Sequence, residues 1–131
     1  TVNASRAIVA DLKQTPTGYG FTTAATEGGI AITLTDQYQE VRYALPQKCT
    51  VAEFQTVYVA LVADHNCAIK LLDADGGQIE ISYNNKDNKA IELGSVDKTK
   101  EIATIAIMSQ EKGTTKALLE SIHVEKAGVS Q

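Results

Sequence analysis

The sequence predicts an all-β fold, an antiparallel β-sandwich of the jelly-roll kind. Three observations carry that prediction. First, short β-branched and apolar runs recur along the chain, such as Val57-Tyr58-Val59-Ala60-Leu61-Val62 and Ile69-Lys70-Leu71-Leu72, and such runs favour strands. Second, turn chemistry punctuates them closely. Pro16-Thr17-Gly18, Glu27-Gly28-Gly29, Asn84-Asn85-Lys86-Asp87-Asn88-Lys89 and Gln110-Glu111-Lys112-Gly113 all fall between apolar segments. Third, Asp75-Gly76 stands between two alternating segments, the strongest short-range hairpin signal.

Strands are expected at roughly Ser5–Lys13, Phe21–Ala25, Gly29–Thr35, Glu40–Ala44, Phe54–Ala63, Ala68–Asp73, Gln78–Tyr83, Ala90–Leu93, Glu101–Ser109 and Leu118–Glu125. Pro46 is expected to close the strand before it, and Gln110–Gly113 to be a hairpin turn. Helix signals are weak. Thr50-Val51-Ala52-Glu53 alone fits a helical turn, with Thr50 as cap and Glu53 three residues on.

Alternation assigns faces. Val57, Val59 and Leu61 point inward, which turns Thr56, Tyr58 and Ala60 outward. Ile69 and Leu71 point in and Lys70 out. Ile79 and Ile81 point in, Glu80 and Ser82 out. Val41, Tyr43 and Leu45 face the core, and Tyr38, Glu40 and Arg42 share the opposite face. Tyr83 also reads as core. A one-residue bulge inverts whatever follows it.

The chain has 131 residues, which fits a single domain spanning 1–131. Its net charge of −4 argues against a general nucleic-acid binder, which needs a basic face. No apolar stretch reaches the length of a membrane-spanning helix. The opening Thr1-Val2-Asn3-Ala4 carries no secretion signal and reads as a piece of a larger protein.

The two cysteines, Cys49 and Cys67, flank one strand of about ten residues, which extends roughly 30 Å. They are expected to be unpaired, because a disulfide needs Cα atoms about 5.5 Å apart. A catalytic Cys67 with His65 or His123 is the less favoured reading. Glu40 and Glu80 are the only acids expected on one face, but neither sits in an apolar pocket that would tune it for glycoside hydrolysis. No enzyme activity is expected. Asp73-Ala74-Asp75-Gly76-Gly77 lacks the later ligands of a calcium loop and reads as a hairpin turn.

Several segments together resemble a known family. Tyr38-Gln39-Glu40-Val41-Arg42-Tyr43-Ala44-Leu45-Pro46, Phe54-Gln55-Thr56-Val57-Tyr58-Val59, Ala68-Ile69-Lys70-Leu71-Leu72-Asp73-Ala74-Asp75-Gly76, Ile105-Ala106-Ile107-Met108-Ser109-Gln110 and Leu118-Leu119-Glu120-Ser121-Ile122 resemble, in order and spacing, the β-sandwich carbohydrate-binding modules related to families four and twenty-two. Those modules are appended to plant-cell-wall hydrolases. The likeness covers about residues 28 to 125.

The resemblance implies a secreted bacterial module, monomeric and without catalysis, that holds a polysaccharide along a concave sheet face. Its partners would be a plant cell-wall glycan and a covalently attached catalytic domain, with no nucleic acid and no membrane. No cofactor is required; the resemblance admits a structural calcium near Glu120. Tyr38 falls where such modules carry an aromatic platform, and flat sugar C–H faces stack on such rings. Alternation adds Arg42, Tyr58, Lys70 and Glu80 to one outward ligand surface, with Ser82 and Gln110 as further hydrogen-bonding groups. With no tryptophan in the chain, affinity must lean on tyrosine stacking and hydrogen bonds. That favours a soluble chain over a flat crystalline surface. Because Glu40 and Glu80 partly cancel the charge of Arg42 and Lys70 expected on the same face, β-glucan or xylan ranks first and an acidic chain such as pectin second. A protein-interaction or scaffold sandwich is the reading from another class.

Overall fold

A computed structural model describes residues 7–126. Eleven strands follow one another: β1 (Ala7–Val9), β2 (Thr17–Tyr19), β3 (Phe21–Thr26), β4 (Gly29–Leu34), β5 (Glu40–Thr50), β6 (Phe54–Ala63), β7 (Cys67–Leu72), β8 (Gln78–Asn85), β9 (Lys89–Glu92), β10 (Glu101–Ser109) and β11 (Thr115–Lys126). They form two sheets. Sheet A runs β3-β4-β11-β6-β9, with β1 also on β11, and sheet B runs β2-β5-β10-β7-β8. Every pairing is antiparallel. The expected sandwich is the fold the chain adopts.

The inward faces meet in one apolar core. Sheet B contributes Val41, Tyr43, Ile69, Leu71, Ile105 and Ile107, and sheet A contributes Ile32, Val57, Val59, Leu61, Leu119 and Ile122. The alternation read for β5, β6 and β7 therefore places their core residues correctly. Each fully buried aliphatic of this kind contributes roughly 1.5–3 kcal/mol.

Four local expectations are corrected. Thr17–Tyr19 is a strand on the edge of sheet B, not part of a turn. β5 runs through Pro46 to Thr50. Thr104 pairs with Ala44 while Ile102 pairs with Cys49, so Pro46 sits in an irregular stretch of β5, where its missing N–H breaks no ladder bond. Gln110–Gly113 is no hairpin turn, because β10 and β11 belong to different sheets; the segment crosses from one layer to the other. The helical turn is only a 3-10 turn at Val51–Glu53, and Thr50 makes no side-chain capping bond. Of the first expected strand, Ser5 and Arg6 lie outside the described residues.

The Asp73–Gly77 hairpin forms as expected. Asp73 Oδ1 accepts the N–H groups of Asp75 and Gly77 at 2.9 and 2.7 Å. Gly29 is required by packing: its φ is +145°, and a Cβ there would sit 2.2 Å from the Leu119 carbonyl oxygen. The close approach lets β4 reach β11 just before the bulge at Glu120, beyond which β1 takes over the pairing.

Cys49 and Cys67 are free and buried. Their partners on or beside β10 are Ile102 and Ser109, roughly 23 Å apart along an extended strand. Burial pushes both thiols up to about 11. Cys67 Sγ lies 3.6 Å from the backbone carbonyl of His65, not its ring, so it has none of the features of an activated nucleophile. In the native protein at pH 8, neither thiol should react with a disulfide reagent within minutes. Both should react at once in denaturant without reductant. Fast native labelling, or only non-reactive cysteines after unfolding, would contradict this arrangement.

Candidate functional site

Cross-strand partners share a face, so the register defines the outer surface of sheet B. One row across it reads Tyr19, Glu40, Met108, Ala68. It continues onto β8, where Tyr83 and Asn84 together stand opposite Ala68, between the Cys67–Asn85 and Ile69–Ser82 pairs. The next row reads Thr17, Arg42, Ala106, Lys70, Ile81. Tyr19 and Tyr83 are 52% and 58% exposed, and they are separated by four strand spacings, roughly 19 Å.

The centre of this face is ionic. Glu40 is fully buried, yet its side chain points away from the apolar core. Arg42 Nε donates to its Oε2 at 2.5 Å, and Lys70 Nζ donates to its Oε1 at 2.8 Å. Ala106 lies between Arg42 and Lys70 in the register and is itself fully buried. The two long side chains therefore lie over its methyl group as they converge on Glu40. A buried carboxylate with both oxygens paired by charged donors is held rigidly. It is also unavailable as a catalytic acid, base or nucleophile.

Tyr38 lies at the same end of the sheet, immediately before β5. It is 59% exposed, and its backbone has φ +68°. A left-handed conformation is costly for a bulky residue and is found where the surroundings impose it. Here the Tyr38 N–H donates to the Ser109 carbonyl at 2.8 Å. Asp36 anchors the loop from below: its Oδ1 accepts the N–H groups of Gln37 and Gly113 at 2.8 and 3.0 Å. The Gly113 bond, more than the others, lowers the Asp36 pKa beneath its ordinary 3.8. Asn84, with φ +65°, is the other non-glycine residue in this conformation among the described residues. Gln110 clamps it, accepting the Asn84 N–H at 2.6 Å and donating to its Oδ1 at 3.1 Å. Both left-handed side-chain-bearing residues thus flank the tyrosine row.

Sheet B brings together Tyr38, Arg42, Lys70 and Gln110 from the residues read as one ligand surface. It does not bring in the other three. Tyr58 is on β6 in sheet A, the opposite layer, where it pairs with His123. Alternation says only inward or outward; it cannot say which of two sheets a strand joins. Glu80 and Ser82 pair with the core-facing Leu71 and Ile69, so they turn to the sandwich edge. Glu80 and Ser82 line a depression of about 260 Å³ there with Lys89 and Glu92. The cause is a bulge at Ile79, where Leu71 pairs with Glu80 but Leu72 with Gln78. Ser82 also accepts from the Asn85 amide. The same inversion puts Tyr83 outside, where the sequence reading had placed it in the core. The left-handed Asn84 beside it was the available signal, because asparagine tolerates that conformation. Tyr19 carries no such signal, since β2 is too short to show periodicity. Among the described residues no group of three or more His, Cys, Asp or Glu side chains could hold a metal.

No protein-family profile matches the chain, and no curated protein sequence matches it. Solved structures do share its fold. A low-affinity xylan-binding module of family 86 from Roseburia intestinalis superposes with a TM-score of 0.67 at 16% identity, covering 95% of this chain and 92% of that one. A family 29 carbohydrate-binding module gives 0.63 at 11% identity, with 90% and 87% covered. A family 29 variant in complex with cellulohexaose gives 0.62 at 12% identity, with 93% of each chain covered. At these identities the likeness establishes a fold shared with carbohydrate-binding modules. The families so matched are 86 and 29, whereas the resemblance in sequence was to four and twenty-two.

Two outcomes follow from the geometry. Lys70→Met leaves one oxygen of the buried Glu40 without its donor and should cost about 1–3 kcal/mol, read as a lowered urea midpoint. An unchanged midpoint would mean that the ion pair does not form. Asp36 has a folded pKa below its unfolded one, so its contribution is present above about pH 4 and lost as pH falls through the folded value. Amide exchange at Gly113 and Tyr38 should therefore quicken in acid before the core opens, and Asp36→Asn should show that fast exchange already at neutral pH.

Proposed function

We propose that this chain is a non-catalytic polysaccharide-binding module and that the glycan lies across the strands of sheet B, along the row from Tyr19 to Tyr83. The observation that carries this reading is that row: exposed tyrosines at both ends of one line, with a rigid hydrogen-bonding centre beside it. Pyranose C–H faces stack on tyrosine rings. Arg42 and Lys70 stay partly exposed while they hold Glu40, so they can also donate to sugar hydroxyls. Tyr38 supplies a third ring at the same end.

The glycan we infer is a neutral, soluble β-glucan or xylan. Spaced tyrosines suit a flexible chain, whereas a flat crystalline surface suits a planar row of larger rings. The fold shared with a xylan-binding module and with a module bound to cellulohexaose supports that class. We infer further that the module brings an attached plant-cell-wall hydrolase to its substrate outside the cell. A second reading, an acidic chain such as pectin, draws on the two cations Arg42 and Lys70 set against the single Glu40. The Asp73–Gly77 turn opposes it, since Gly76 lies close to Arg42 Nη1 and the turn carries two aspartates.

Affinity electrophoresis in xylan, mixed-linkage β-glucan and pectin separates these readings. Retardation in xylan or β-glucan, little changed between low and half-molar salt, is expected; exposed charges are screened within about 8 Å at physiological ionic strength. Binding to pectin that collapses with salt would favour the acidic chain. No retardation in any gel would favour a protein-interaction sandwich. Tyr83→Ala and Tyr19→Ala should each weaken binding about tenfold or more, some 1–3 kcal/mol by analogy with base stacking. Their melting temperatures should be nearly unchanged, because both rings are exposed.

A further inference from the structure

The outer face of sheet A carries a feature that the row on sheet B does not use. Tyr58 and His123 are cross-strand partners on β6 and β11. Their rings stack, with centroids 4.7 Å apart and planes 20° from parallel. That separation equals the spacing between strands, so the rings stand on edge over the sheet, face to face. Glu125 Oε2 lies 3.5 Å from His123 Nε2 and helps hold the imidazole.

The neighbours leave the pair open on one side. Tyr58 pairs on β9 with Ala90, which raises only a methyl group beside the ring. Next along the strands, Ala60 pairs with Ser121, so the floor is low there too. A groove of about 300 Å³ results, lined by the two rings, these small residues, Asn88 and Lys89. That volume lies at the lower end of ligand pockets.

The polar groups around this groove are uncommitted. Among the described residues, the side chains of Asn88, Lys89 and Ser121 make no hydrogen bond or ion pair. An amide, an ammonium and a hydroxyl thus surround an aromatic wall with an open face. A ring with an apolar C–H face and an equatorial girdle of hydroxyls fits that chemistry. A purely apolar ligand would leave the three groups unused.

We propose that the Tyr58 groove is a second glycan-binding site, taking a pyranose ring of a neutral polysaccharide. It rests on the reading that this chain binds glycans. The Tyr58 ring stacks on the sugar's C–H face, and Asn88, Lys89 and Ser121 reach its hydroxyls. With sites on opposite faces of the sandwich, one module can engage two chains, or two segments of one chain. Linking two weak sites in this way raises avidity without any new contact.

Two-dimensional NMR titration of the whole chain with xylohexaose and cellohexaose tests the idea. The expected result is two groups of saturating amide shifts, one at Ala68, Tyr83 and Met108 and the other at Tyr58, Ala90 and Ser121. Tyr58→Ala should raise the dissociation constant of the second group about tenfold, equivalent to 1.4 kcal/mol, and leave the first group alone. Ala90→Leu fills the groove while keeping both rings, and should do the same, which guards against a fold defect in Tyr58→Ala. Tyr83→Ala should have the reverse effect. Shifts confined to sheet B, or a second group indifferent to both groove variants, would overturn the second site while leaving the proposed function in place. No shifts anywhere with either oligosaccharide would overturn both.

Discussion

Everything on the surface of this protein is positioned by what the two sheets bury between them. A strand has two sides, and successive residues take opposite ones. Once Val41 and Tyr43 commit to the core, Glu40 and Arg42 must stand on the outer face of sheet B. The same holds for Lys70 between Ile69 and Leu71. The apolar core thus sets the ionic centre of the candidate site from the opposite side of the sheet. Rigidity follows from the same source, because a site on paired strands inherits the precision of the ladder.

Glu40 shows how a costly group is accommodated. A carboxylate without solvent access is unfavourable unless it is fully paired. Arg42 and Lys70 pair one oxygen each. The arrangement orients two long side chains that would otherwise sample many rotamers. Their remaining donors are thereby held at fixed places on the face, which lowers the entropy lost when a ligand is bound. The left-handed Tyr38 and Asn84 serve the rim in a similar way. Their backbones are tied through Ser109 and Gln110 at the end of β10, so these two flanking residues are fixed by the strand that also forms the row's middle.

Bulges account for most of the surface that alternation misassigns. At Ile79 an extra residue on β8 reverses the sides of all that follow until Asn84. Ile81 and Tyr83 come to the outer face, and Glu80 and Ser82 leave it. A second bulge, at Glu120, splits β11 between β4 and β1. Neither bulge has a strong local signature. The one at Ile79 lies in the β7–β8 hairpin opposite Leu71 and Leu72, and the one at Glu120 sits against Gly29, remote in sequence.

The sequence by itself determined the sandwich, most strand positions and the core residues of β5, β6 and β7. It did so because turn chemistry and period-two alternation act over a few neighbouring residues. It also determined that Arg42 and Lys70 turn outward, from the apolar residues on either side of them. The tertiary structure alone decided which sheet each strand joins. That choice separated Tyr58 from Lys70 by the whole thickness of the core and set it beside His123, sixty-five positions away in the chain. It also decided that Pro46 lies within a strand, that Gln110–Gly113 crosses between layers, and that Tyr19 and Tyr83 share one row. The physical reason is the same in each case. Inward or outward is settled by the residue's neighbours in sequence, whereas the pairing partner is settled by long-range burial and register, which no local pattern encodes.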